Sequence, residues 1–373
     1  MKKVLYVGTY SGPAPPTGRI GGGLGVHVFC LDHLPGCAKV NIEPIAVIPA
    51  KEASYICLSR NQRWLYVVEE KATVQANGLN VFRVSDLAAG KVEFVAKYDC
   101  KGTGACFVSQ LDNLVFVANY NSGSAIAFEQ HPVDGTLKQI WFRQFLDASR
   151  KVPHRQEAPH AHCAVHHGEN RLLYVADLGA DRVYTFGILT QTLKPFDKQP
   201  SIGLPEGSGP RHLTIHHTAN FVYVCCELDN TVIGFKVNWD RTLTQIQEPL
   251  NCVAETAEDY HAVPDAEYQA VADIHLTPDG NFLYVSTRGR RNNLAMFSVN
   301  QHTGRLSLLG YESTRGVAPR NFCIDPSSTL LLCGNQDSDT IVPFSIDTDS
   351  GKLSYLGKQF KCPAPVCLEI YEL

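Results

Sequence analysis

Five residues of this 373-residue chain, His162, Arg211, Glu227, Arg288 and Arg320, are of types that do chemistry, and they fall at recurring positions. An imidazole titrates near neutral pH and can take a proton from water; a carboxylate can do the same, or can orient the imidazole. Guanidinium groups present paired donors to phosphate or carboxylate oxygens and can stabilise an oxyanion as it develops. Such a set suits acid–base chemistry on a small anionic molecule. The recurrence is visible when the chain is aligned on a short apolar motif that returns seven times. The last position of the motif reads Tyr10, Glu70, Tyr120, Leu178, Glu227, Arg288 and Gln336, and the position eleven residues before the motif reads Ser54, Gly104, His162, Arg211, Ala272 and Arg320 in the second to seventh copies. Two columns of a repeat thus collect charged or titratable groups.

The motif itself says what positions them. It runs from Leu5-Tyr6-Val7-Gly8 through Leu65-Tyr66-Val67-Val68, Val115-Phe116-Val117-Ala118, Leu173-Tyr174-Val175-Ala176, Val222-Tyr223-Val224-Cys225 and Leu283-Tyr284-Val285-Ser286 to a more degenerate Leu331-Leu332-Cys333-Gly334. Successive copies start roughly 48 to 61 residues apart, near the period of propeller blades and far above that of helical solenoids. In the fifth copy Arg211–His217, Phe221–Cys226, Thr231–Val237 and Leu243–Glu248 read as strands A to D of one blade. Glycines at Gly135, Gly304 and Gly351 mark C-to-D hairpins that want φ > 0. No segment shows a 3.6-residue apolar period. The fold class is therefore all-β, a single seven-bladed β-propeller spanning residues 1–373. The chain starts inside a strand B, Lys3–Thr9, and ends with a strand A, Ala364–Tyr371, so the last strand should complete the first blade and close the ring.

This topology brings the two columns together. A chain that runs up A, down B, up C and down D puts the start of every A and the end of every B at one face, with A nearest the axis. Long irregular connections gather over the same mouth: Ser11–Leu24, Ala148–Ala158 and Cys252–Glu267. A structural reading stands beside the functional one, because strand-end charges can form a solvated ion-pair ring. His160 and His162 share a face of an extended strand, and most of the other histidines (His166, His167, His212, His216, His217, His275) read as structural. A metal is disfavoured, since the charged neighbours in the columns are mainly arginines, which repel a cation.

Composition narrows the partners. A net charge of −4 and a pI near 6.4 argue against a nucleic-acid footprint, and no apolar run approaches membrane-spanning length. The 13 cysteines are odd in number, contain no CxxC pair, and include several at strand positions (Cys30, Cys57, Cys106, Cys225, Cys323). Free thiols in a reducing compartment are expected, and with them a soluble cytoplasmic protein, monomeric or weakly self-associating.

Pro159-His160-Ala161-His162, Gly209-Pro210-Arg211-His212-Leu213, Ala272-Asp273-Ile274-His275-Leu276-Thr277-Pro278-Asp279-Gly280 and Asn335-Gln336-Asp337-Ser338-Asp339 resemble the propeller-type 6-phosphogluconolactonase family. That family is related to the fungal 3-carboxy-cis,cis-muconate lactonizing enzymes, and the likeness covers the whole chain. It implies a lactone hydrolase acting on a small anionic lactone without metal or organic cofactor. A catalytic set of one His, two Arg and one Glu, carried over through the motifs, gives His162, Arg211, Glu227 and Arg288. His160, Arg320 and Arg290, with Arg291 beside it, are the substrate-binding candidates. In the second blade Ser59-Arg60-Asn61-Gln62 departs from the usual Ser-Pro-Asp-Gly turn, at the face away from the site. Whether His162 or Glu227 is the base stays open at this level. So do a muconate cyclisation and a propeller that only binds a ligand or protein.

Overall fold

Each copy of the apolar motif becomes the second strand of a four-stranded antiparallel sheet, and seven such sheets form a ring. The computed structural model describes residues 3–14, 18–34, 39–70, 77–189, 192–254 and 268–373. Among them the only helical piece is a 3-10 turn, Gln336–Ser338, and no helix is long and apolar enough to cross a membrane. The motif strands, for example Leu172–Asp177 and Phe221–Cys226, are buried throughout, because a neighbouring sheet covers each of their faces. This is why the motif reads as a continuous apolar run and does not alternate. Each fully buried Val, Leu or Phe contributes about 1.5–3 kcal/mol.

The blades are numbered from the one that holds both chain ends, and in the first, fifth and sixth the tyrosine of the motif ties its blade to the next. Tyr6 donates its hydroxyl hydrogen to Leu87 O (2.9 Å), Tyr223 to Gly304 O (2.8 Å) and Tyr284 to Gly351 O (2.8 Å), each reaching the C-to-D hairpin of the next blade. Those hairpin glycines serve twice. Gly304 and Gly351 have φ of 70°, and a Cβ on either would strike the ring of Phe221 or Phe282 in the preceding blade at 2.5 or 2.2 Å.

The ring closes as the chain ends suggest. Pro365–Glu372 pairs antiparallel with Lys3–Thr9 and becomes the innermost strand of the first blade. In the fifth blade the inner three strands fall at Pro210–Ile215, Phe221–Cys226 and Thr231–Val237, close to expectation. The expected outer strand Leu243–Glu248 is instead two pieces, Leu243–Gln245 and Leu250–Asn251, both on Thr231–Val237. Pro249 between them has no N–H to give a ladder, which accounts for the break.

Candidate active site

In all seven blades the innermost strand carries a β-bulge near its start. The residues left out of register are Val366, Ser54, Cys106, His162, Arg211, Ala272 with Asp273, and Arg320, in blades one to seven. A bulge breaks the strict alternation of a strand and re-aims the side chain it releases. It is therefore the device that presents the first column of the repeat at the mouth. One position differs from expectation: the third blade supplies Cys106, not Gly104. Its A-to-B turn is only Asp112-Asn113, with Leu111 paired to Leu114, so counting eleven residues back overshoots by two.

The two columns meet around Glu227, at the end of the second strand of blade five. Arg155 Nη2 lies 2.6 Å from Glu227 Oε1, Arg288 Nη2 3.5 Å from the same oxygen, and Arg211 Nε 3.0 Å from Oε2. The last is an ion-pair distance only, because the Arg211 Nε–H is not aimed at an acceptor. Nε and Nη1 of Arg288 are likewise buried with no hydrogen-bond partner. Beyond Arg288, Tyr10 donates to Glu70 Oε2 (2.6 Å), the Arg320 guanidinium sits 5.2 Å above the Tyr10 ring, and Arg320 Nη2 is 3.9 Å from Glu70. His162, Arg211, Glu227, Arg288 and Arg320 are all buried, with exposures between 2% and 7%.

His162 completes the cluster. Its ring stands edge-on to Tyr120 (5.2 Å) and to His212 (5.1 Å), with Cys106 Sγ 3.8 Å from Nδ1. His160 stacks on Tyr120 at 4.5 Å; its Nδ1 meets Tyr120 O (3.0 Å) and its Nε2 meets Glu157 (3.2 Å), so both ring nitrogens are engaged within the protein. Arg290 does not join the buried group. It is exposed, just beyond the strand Phe282–Gly289 that carries Arg288, and Arg291 beside it is half-buried.

The charges shape one another. Burial alone would raise the Glu227 carboxyl, but Arg155, Arg288 and Arg211 outweigh it and hold the group at about 2. Burial brings Arg288 down to about 10, with Arg320 and Arg211 adding to the fall against the pull of Glu227. His162 is held well below the ordinary imidazole range by burial, then by Arg211, His212 and Arg320. Deeper in the ring Asp273 accepts from His212 Nδ1 (2.8 Å) and contacts His275 Nε2 (2.9 Å) and Asn321. Burial, with the Arg211 charge, takes His212 to about 4. Burial opposes a rise at His275, yet the Asp273 carboxylate raises it. Among the described residues no group of three or more His, Cys, Asp or Glu is disposed to hold a metal ion.

Two buried aspartates hold the loops that carry these residues. Asp181 Oδ1 accepts from Gln156 Nε2 (2.7 Å) and Gly209 N (2.8 Å), and Oδ2 from Gly207 N (2.7 Å). It thereby ties the Ala148–Ala158 connection, which bears Arg155, to the segment leading into Arg211. Asp177 accepts from the backbone of His160, Gly179 and Ala180, and so shapes the entry to the His162 strand. The sequence reading missed Arg155, although it marked its loop, and it missed Cys106 and Asp273. Of the other two marked connections, residues 15–17 and 255–267 lie outside the described residues.

Comparison with known proteins places the whole chain in one family. The profile of the family described as lactonase, 7-bladed beta-propeller matches residues 4–370. A 6-phosphogluconolactonase of Bacillus subtilis is 32% identical, over 99% of this chain and 98% of its own. One of Formosa agariphila is 30% identical, over 98% and 99%. The solved periplasmic gluconolactonase of Pseudomonas aeruginosa superimposes with a TM-score of 0.87 at 26% identity, covering 100% of this chain and 99% of its own.

Proposed function

The chain belongs to the seven-bladed β-propeller lactonase family, and from that premise we propose that it hydrolyses 6-phospho-D-glucono-1,5-lactone, or a close sugar lactone, to the open-chain acid without metal or organic cofactor. The observation that carries the reading is the buried Arg288 guanidinium, with Nε and Nη1 uncommitted to any acceptor among the described residues, in one cluster with a neutral imidazole. Arg288 and Arg211 are donors suited to a developing oxyanion, and His162 is a base suited to water.

In the reaction His162 Nε2 takes a proton from water as its oxygen bonds to the lactone carbonyl carbon. The carbonyl electron pair moves onto oxygen, where Arg288 and Arg211 stabilise it in a site already organised for the charge. Collapse breaks the ring C–O bond, and the imidazolium returns its proton to the leaving ring oxygen. Glu227, pinned at about 2 by three arginines, is a weak base; it holds those arginines in place. Arg320 and Arg155 bind the phosphate, Arg290 attracts it at the rim, and His160 seats Tyr120 as a wall of the site. The whole chain acts as one domain, as a monomer or weak oligomer, with no nucleic-acid partner. The twelve free cysteines among the described residues support a reducing, cytoplasmic setting.

The test is turnover by purified, chelator-treated protein of freshly generated 6-phosphogluconolactone beside unphosphorylated gluconolactone, corrected for spontaneous hydrolysis. Fast cleavage of the phosphorylated lactone, reduced about a hundredfold by His162→Ala, is expected. Acceleration of neither lactone refutes the assignment.

A further inference from the structure

We propose that Cys106 is a positioning residue that sets the tautomer of His162, placing the proton on Nδ1 and leaving the Nε2 lone pair free to accept one from water. Its kinetic consequence rests on the lactonase reading above; the tautomer itself does not. Cys106 and His162 are the bulge residues of adjacent innermost strands, Ala105–Leu111 and Ala161–His167, so the same local irregularity turns both toward one point.

The heavy-atom distances favour one placement of the hydrogens. Cys106 Sγ lies 3.4 Å from His162 O, 3.8 Å from Ala118 O and 3.9 Å from Ala161 O. It lies 3.8 Å from His162 Nδ1, within reach of an N–H donated to sulfur. Burial keeps the thiol protonated, so sulfur has one hydrogen to give. The nearest acceptor is the His162 carbonyl oxygen, 0.4 Å nearer than the ring nitrogen. With its hydrogen on the carbonyl, the sulfur turns lone pairs toward Nδ1. A bare Nδ1 would face them unfavourably, whereas Nδ1–H donates to them. The proton therefore sits on Nδ1, and Nε2, which has no partner among the described residues, presents its lone pair. The flanking Tyr120 and His212 rings keep the imidazole from turning over.

This matters because a histidine side chain in water prefers its proton on Nε2, the tautomer that cannot accept one from water there. Without Cys106 the ring should drift toward that form. The wrong tautomer removes base catalysis without removing the residue.

The experiment compares wild type, Cys106→Ala and Cys106→Ser by long-range proton–nitrogen NMR of the labelled imidazoles, with His162 assigned by the signals lost in His162→Ala, and by kcat and KM on the phosphorylated lactone. Wild type should show a protonated Nδ1 and a bare Nε2. Cys106→Ala should move population to Nε2–H and lower kcat about tenfold with KM changed less than about twofold. Cys106→Ser should restore the tautomer and most of kcat, because a hydroxyl can donate to the same carbonyl and accept from Nδ1–H. A wild-type ring protonated on Nε2, or an unchanged tautomer in Cys106→Ala, overturns the proposal. So does equal loss of kcat in both variants with the tautomer intact, the signature of packing alone. If wild type turns over no lactone, the functional reading falls and the NMR result still decides the role of Cys106.

Discussion

Replacing Glu227 by Gln keeps the shape of the side chain and removes one charge from the centre of the arginine cluster. The depression of its carboxyl from 4.5 to about 2 corresponds to about 3 kcal/mol in favour of the ionised form. The sign follows from the direction. A carboxyl held lower in the folded state contributes stability that is complete above its unfolded value and lost as pH falls toward about 2. Gln has none of it at any pH. A second route gives a similar figure, because removing one member of a buried ion pair costs about 3–5 kcal/mol. Arg155, 37% exposed, can turn to solvent when its partner disappears, which keeps the loss near the lower end. Glu227→Gln should therefore be about 3 kcal/mol less stable than wild type at neutral pH, and the gap should shrink as both are taken below about pH 4. Urea unfolding followed by far-UV circular dichroism is the suitable assay, since guanidinium salts would screen the very charges at issue. A difference below about 0.5 kcal/mol at neutral pH, or one that does not change in acid, would refute the account of Glu227 as the anchor of three arginines.

Three other outcomes follow from the same geometry. Because His162 stays unprotonated well below the ordinary imidazole range, kcat, which reports the enzyme–substrate complex, should be flat as pH falls through about 6.5 and decline only further down; an inflection of kcat near 6.5 rules the reading out. Arg155→Ala should raise KM for the phosphorylated lactone about tenfold with kcat changed less than about threefold, and an unchanged KM removes Arg155 from the phosphate site. Asp181→Ala leaves Gln156, Gly207 N and Gly209 N without their shared acceptor. It should cost about 2–3 kcal/mol in urea unfolding and speed proteolysis within residues 148–158, and a native protease pattern would show that the carboxylate is not the tie.

The sequence showed the ring and the two charged columns because both depend on period, and period survives in a linear text. The motif strands are buried on both faces, so their apolar runs stand out. Three kinds of feature resisted. Arg155 sits in an irregular connection, where nothing repeats; its place beside Glu227 is set by Gln156 and Asp181 through contacts distant in sequence. Cys106 was hidden by a turn two residues shorter than its counterparts, which shifted the column by the same amount. Asp273 looked like part of a conventional strand, whereas a two-residue bulge turns it toward His212 and His275. Arg290 shows the converse, a residue of the right type near the right strand end that stays at the exposed rim.

Every blade contributes to the mouth: Tyr10, Glu70, Cys106 with Tyr120, His162, Arg211 with Glu227, Arg288 and Arg320, in order around the ring. Four guanidiniums, counting Arg155, gather there with the carboxylates of Glu227 and Glu70. Burial lowers Arg288 first, and the Arg320 and Arg211 charges add to the fall. Such a site cannot exist in part. The Tyr10 N–H donates to Ala364 O (3.3 Å), and its side chain packs on Ala364 and Val366, just before and within the strand that closes the ring. Tyr10 in turn holds Glu70 and carries Arg320 on its ring face. Closure of the propeller by its last strand and the placement of Tyr10, Glu70 and Arg320 are thus linked. A change that loosens Pro365–Glu372 should weaken binding of the anionic substrate before it reaches His162 on the opposite side of the mouth.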